Sequence, residues 1–171
     1  MRRPFIAGNW KMNLTREESV ALASGIVEGA KSAENCDIAV CPPAVYLDAV
    51  SSIVADSSVG LGGQNLYHEA SGAFTGETSA GMLLDIGCQY VILGHSERRH
   101  ILGESNADVN RKVITALEAG ITPIVCVGET LEQREAGKTQ EVNRDQFDGS
   151  LSGLTADQVS SLVIAYEPVW A

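Results

Sequence analysis

The sequence predicts an α/β protein built on parallel strands, on three observations. Short runs rich in Val and Ile alternate along the chain with helical patterns, which implies crossover connections between parallel strands. The runs are apolar almost throughout, as strands are when both sheet faces are covered. Neither a linker nor a shift in composition divides the 171 residues, so residues 1–171 read as one domain.

The runs lie at residues 5–10 (FIAGNW), 37–42 (DIAVCP), 59–64 (VGLGGQ), 90–95 (YVILGH), 121–128 (ITPIVCVG) and 162–167 (LVIAYE). After the first, Thr15 and Glu18 form a capping box, and Leu22, Ile26 and Ala30 share one helical face. After the fourth, Ser105 and Asp108 open a helix with the stripe Val109, Val113, Leu117, and Gly120 stops it. Thr130 with Gln133 and Thr155 with Gln158 carry the same start signature. The third connection differs: residues 65–78 (NLYHEASGAFTGET) are polar and glycine-punctuated without a helical stripe. They are expected to protrude, and Tyr67 and Phe74 suggest that a partner covers them.

Composition narrows the function. With 44% hydrophobic and 20% charged residues the chain is ordinary globular material, with no apolar stretch of bilayer length. The opening MRRPFIAGNWK lacks the apolar core of a signal peptide, so a cytoplasmic location is expected. Cys36, Cys41, Cys88 and Cys126 show no CxxC pairing and read as reduced, mostly buried thiols. A net charge of −10 repels nucleic acid and anionic membranes, so neither is an expected partner. An anionic ligand must be held locally, by a placed lysine or by helix N-termini.

The chemistry is expected at the carboxyl ends of the strands, where parallel α/β folds bind ligands. Period 2 puts Phe5, Ala7, Asn9 and Lys11 on one face of the first run and Ile6, Gly8, Trp10 and Met12 on the other, which is expected to lie beneath helices. By the same rule His95 shares a face with Val91 and Leu93, and Glu167 with Val163 and Ala165. Three strands thus send an ammonium, an imidazole and a carboxylate to one rim. Pro168 pins the backbone of Glu167 in an extended conformation and ends the ladder.

Other signals fail. GLGGQN (60–65) has Asn65 where a dinucleotide loop needs its third glycine, and a loop follows rather than a helix. His95 and His100 are five apart, so one helical face does not present both to a metal. No nucleotide, metal or other cofactor is expected. Cys126, at the end of the fifth run, reads as a buried structural thiol.

FIAGNWKMN, AFTGETSAGML, ILGHSERR, CVGETLEQREAGKT and AYEPVWA together resemble the triosephosphate isomerase family, and these motifs run the length of the chain. The resemblance implies a (β/α)8 barrel, and isomerisation of dihydroxyacetone phosphate and glyceraldehyde 3-phosphate in glycolysis and gluconeogenesis. It casts Glu167 as the base and His95 as a neutral donor to the carbonyl oxygen, a state that the helix start just after it favours. It casts Lys11 as the phosphate and oxyanion ligand with Asn9 beside it, and Ser96 as a supporting residue. Glu97 would orient Lys11, although by itself it reads equally as a surface partner of Arg98 or Arg99. Thr75, on the 65–78 loop, would reach into a neighbouring subunit and steady its lysine and histidine, which implies a homodimer.

The chain departs from that pattern in length. It carries about six strands where the barrel has eight and about 250 residues, so an incomplete barrel with two open edges is expected, poorly soluble or partly folded and of little activity by itself. Two other readings stand beside the isomerase. One is a non-catalytic interaction module on the shortened scaffold. The other is an aldolase-like lyase forming a Schiff base on Lys11.

Overall fold

The computed structural model describes residues 3–171. Within them β1 (Phe5–Asn9), β2 (Asp37–Cys41), β3 (Val59–Gly63), β4 (Tyr90–Leu93), β5 (Thr122–Val127) and β6 (Val163–Tyr166) form one sheet in chain order, every neighbouring pair parallel. The register sets Asn9 beside Cys41, Leu93 beside Val125 and Val127 beside Tyr166, so the carboxyl ends come level at one rim. That levelling is what allows residues far apart in sequence to meet.

The crossovers are helical. They are α1 (Arg16–Ala30), α2 (Leu47–Val54) after a 3₁₀ turn at Ala44–Tyr46, α3 (Ala80–Asp85), α4 (Ser96–His100), α5 (Asn106–Ala119), α6 (Leu131–Glu135), α7 (Thr139–Ser150) and α8 (Ala156–Ser161). All four expected start signatures form reciprocal capping boxes, at Thr15/Glu18, Ser105/Asp108, Thr130/Gln133 and Thr155/Gln158. Gly120 closes α5 in the left-handed region at φ 82°, a conformation that costs glycine nothing.

The core has two layers. Val40, Leu61, Val91, Leu93 and Val125 face the helices and meet Leu47, Val50, Val109, Val113 and Ala116. Cys41, Ile92, Ile124 and Cys126 form a smaller cluster with Phe5, Tyr90, Val163 and Ala165. This second layer floors the rim. All four cysteines are free, and only Cys36 is partly exposed.

Several expectations are corrected. On α1 the expected face holds in part: Ala30 is buried and Ile26 packs against the core, but Leu22 is exposed, and Ser19 and Ala23 take buried positions instead. In β1 only Trp10 of the expected helix-covered face is buried, and Ile6 is 60% exposed because β1 is an edge strand. Residues 65–78 do form a long irregular loop, but Tyr67 and Phe74 cover each other, with ring centroids 4.6 Å apart, so much of their apolar surface is already spent. His95 does not share a surface with Val91 and Leu93: it lines a cavity with Ile92. The cause is Gly94, whose left-handed φ of 66° interrupts the two-residue alternation one step before the histidine.

Candidate active site

Lys11 lies just past β1 in the left-handed region, at φ 54°, an uncommon conformation for a residue with a Cβ. Its neighbours hold the turn. Asn9 Oδ1 accepts the Lys11 backbone N–H at 3.0 Å, and Gln64 Nε2 donates to the carbonyls of Lys11 at 2.8 Å and Cys41 at 2.9 Å. The ammonium stands 2.8 Å from Glu97 Oε1 and 4.0 Å from Glu167 Oε1. The hydrogen bond to Glu97 is the main cause that raises Lys11 above its ordinary value, and the same bond lowers Glu97. Glu97 therefore partners Lys11, not Arg98 or Arg99.

His95 caps the N-terminus of α4 and is buried. Its Nδ1 accepts the Glu97 backbone N–H at 3.3 Å, which assigns the ring proton of a neutral imidazole to Nε2. Nε2 points the other way, 2.8 Å from Glu167 Oε2. Glu97 Oε2 lies 3.5 Å from Nδ1, a contact between two acceptors while that nitrogen carries no proton.

Glu167 follows β6 directly. Its N–H donates to Val127 O at 2.8 Å, extending the ladder one residue before Pro168 ends it. The carboxylate also meets Ser96 Oγ at 3.5 Å and is 38% exposed. Lys11, His95 and Glu167 thus converge, and with Asn9, Ile92, Ile124, Cys126 and Ala165 they border a cavity of about 290 Å³. Cys126 forms part of its floor, and burial pushes its thiol up to about 12, which leaves it protonated. A second cavity, of about 390 Å³, shares Asn9, Lys11 and His95 and runs on past Glu97 and Gln64 to Thr78. Thr75 is exposed on the 65–78 loop, outside both linings.

Three supporting residues escaped the sequence reading. Gly94 must be glycine: a Cβ there would meet Arg99 at 2.8 Å and Val109 at 2.9 Å. Arg99 donates to Gly94 O (2.7 Å), Cys126 O (3.3 Å), Asn106 Oδ1 (2.6 Å) and Ser150 Oγ (3.0 Å), tying the end of β4 to the end of β5. Glu129, with no exposed surface, accepts from Tyr166 Oη (3.0 Å), Trp170 Nε1 (3.1 Å) and Asn143 Nδ2 (3.0 Å), and Arg134 approaches at 3.3 Å. The faint signal was polar-tipped aromatics on either side of Glu167.

Parallel strands joined by helices, with an acid–base cluster and one ammonium at their carboxyl rim, define a (β/α)-barrel type of enzyme. The comparisons narrow this. The family model for triosephosphate isomerase matches residues 4–171. A triosephosphate isomerase from Rhodopirellula baltica is 53% identical over 170 residues, covering 99% of this chain and 67% of that protein. One from Hydrogenovibrio crunogenus is 52% identical over 172 residues, covering 100% and 68%. The crystal structure of triosephosphate isomerase from Bartonella henselae superimposes with a TM-score of 0.90 at 44% identity, over 99% of this chain and 70% of that one. The chain belongs to the triosephosphate isomerase family, with the fold of an incomplete barrel of six strands.

Proposed function

We propose that this chain carries the site that interconverts dihydroxyacetone phosphate and D-glyceraldehyde 3-phosphate by proton transfer through an enediolate, in glycolysis and gluconeogenesis and without a cofactor, with little turnover from its six strands by themselves. The observation that carries the reading is the contact of Glu167 with His95 Nε2 at 2.8 Å, with the Lys11 ammonium 4.0 Å from the same carboxylate. A proton acceptor, a neutral N–H donor and a fixed positive charge are the three groups that enolisation of a phosphorylated ketone requires.

Glu167 removes a proton from the carbon beside the carbonyl and returns it to the former carbonyl carbon, while the hydroxyl proton passes from one enediolate oxygen to the other, so that carbonyl and alcohol exchange places. The substrate carbonyl oxygen takes the place of Glu167 Oε2 as acceptor for His95 Nε2–H, and the developing charge is met by that proton and by Lys11. Lys11 also holds the phosphate, the local attraction that a chain of net charge −10 needs. Glu97 keeps the ammonium protonated and aimed. Asn9 commits Oδ1 to the Lys11 backbone, which leaves its NH₂ group to donate into the cavity. Ser96 steadies Glu167. The Schiff-base alternative on Lys11 needs an amine that gives up its proton readily, and the hydrogen bond from Lys11 to Glu97 acts against that.

The same reading includes a cytoplasmic homodimer in which the 65–78 loop of one copy carries Thr75 toward Lys11 and His95 of the other. Its support is exposed apolar surface: Met12 is 95% exposed, Val45 80%, Ile101 77% and Leu102 64%, and Met12 and Leu102 line the second cavity. Sedimentation velocity checks it. A dimer is expected for the unaltered chain, and Ile101→Glu is expected to shift it to monomer.

The catalytic reading is tested by following both triose phosphates by NMR. His95→Gln is expected to lower turnover at least about a hundredfold, from loss of the oxyanion donor. A folded His95→Gln protein with unaltered turnover removes His95 from the mechanism.

A further inference from the structure

We infer that Gln146 is a positioning residue for Glu167, acting through the peptide of Gly128; this rests on the reading of Glu167 as the base. Gln146 lies on α7, far from the rim in sequence, and is 8% exposed. Its Oε1 accepts the Gly128 N–H at 2.8 Å and its Nε2 donates to the Gly128 carbonyl at 3.2 Å. One buried side-chain amide thus captures both polar groups of one residue, just past the end of β5.

The residue it captures is the one on which Glu167 sits. A Cβ at Gly128 would stand 1.9 Å from the Glu167 carbonyl oxygen, 2.6 Å from its carbon and 3.1 Å from Pro168 N, so only glycine lets the end of β6 come this close. That freedom has a cost, because glycine has the widest backbone freedom of any residue type and would pass it to whatever rests on it. The reciprocal pair of hydrogen bonds removes that freedom. Glu129, the neighbouring anchor, grips Tyr166 and Trp170 on either side but not Glu167 itself. Gln146 and Gly128 together bear on the backbone from which the carboxylate reaches His95 Nε2 at 2.8 Å.

A merely structural glutamine would fill space and satisfy two buried backbone groups, and its loss would loosen the fold evenly. A positioning glutamine predicts a local effect. The test is made on the full chain with Gln146→Met, which keeps length and loses both hydrogen bonds, and Gln146→Glu, which keeps an acceptor for the Gly128 N–H. For Gln146→Met, kcat is expected to fall about tenfold, within the range for a misplaced catalytic group, while KM stays within about twofold. Amide hydrogen exchange at Gly128 and Glu167 is expected to speed up about tenfold or more, with Val91 in the core of β4 unchanged. Gln146→Glu is expected to fall between Met and Gln.

The inference is overturned if Gln146→Met leaves exchange at Glu167 as in the unaltered protein, or accelerates Glu167 and Val91 alike. If the Met variant does not fold, the same exchange comparison on Gln146→Glu decides. The exchange measurement needs no turnover. Glu167→Gln is run alongside: full turnover in that variant would remove Glu167 as the base and leave the coupling of Gln146 to the Glu167 backbone to be judged by exchange alone.

Discussion

Glu129 and Glu167 follow adjacent strands, β5 and β6, yet their surroundings differ in almost every respect. Glu129 is sealed from solvent. Burial alone would push its carboxyl up, but hydrogen bonds from Trp170, Asn143 and Tyr166 outweigh it and hold the group at about 2. Glu167 is 38% exposed, with one short contact to a neutral imidazole and looser ones to Ser96 and Lys11. A carboxylate surrounded by donors keeps its charge and anchors a chain segment. One that is open to solvent, with one short contact and two loose ones, can exchange its partners for a ligand. Bonding partners, more than residue type, separate the anchor from the carboxylate proposed as the base.

Exchanging either carboxylate for its amide tests that contrast, and the two effects differ in kind. Glu167→Gln removes the proton acceptor at constant shape, with a loss of turnover of at least about a hundredfold and little change in thermal midpoint. Glu129→Gln is expected to do the reverse. It brings an NH₂ group against the donors of Tyr166, Trp170 and Asn143, so the midpoint falls and Trp170 emission shifts to the red as its N–H loses the anion.

The pH dependence sharpens the comparison. Glu129 is held near 2 in the folded chain against an ordinary 4.5, so its contribution is fully present above 4.5 and lost as pH falls from there toward 2. Thermal midpoints measured across that interval should fall more steeply for the unaltered protein than for Glu129→Gln. The smallest effect belongs to Glu97. Its pair with Lys11 is 2.8 Å long but nearly half exposed on both sides, so Glu97→Gln should raise KM only about two- to fivefold, as the modest energies of such pairs imply.

How far the sequence could be read follows from what each signal depends on. Capping boxes are local, and all four formed. The strand-end convergence was legible because parallel register brings carboxyl ends level. Glu167 met the prediction that it shares a face with Val163 and Ala165, since β6 runs regularly to its end. His95 reached the same rim by another route, because a single left-handed glycine reset the alternation. The buried face of α1 was legible at Ile26 and Ala30 but not at its start, where Ser19, a polar residue, lies inside while Leu22 lies out. Gln146 was not visible at all, and Glu129 only faintly, through the polar-tipped aromatics on either side of Glu167. Their partners lie 18 and 37 residues away, and only the folded register brings them together.

The most direct test of the account is the entry of deuterium from heavy water into dihydroxyacetone phosphate, followed by proton NMR with this chain and with Glu167→Gln. The method registers each proton abstracted by the base and so detects slow turnover. The account predicts incorporation above the buffer rate with the unaltered chain and return to near that rate in the variant. Equal incorporation with both, in folded protein, would contradict it.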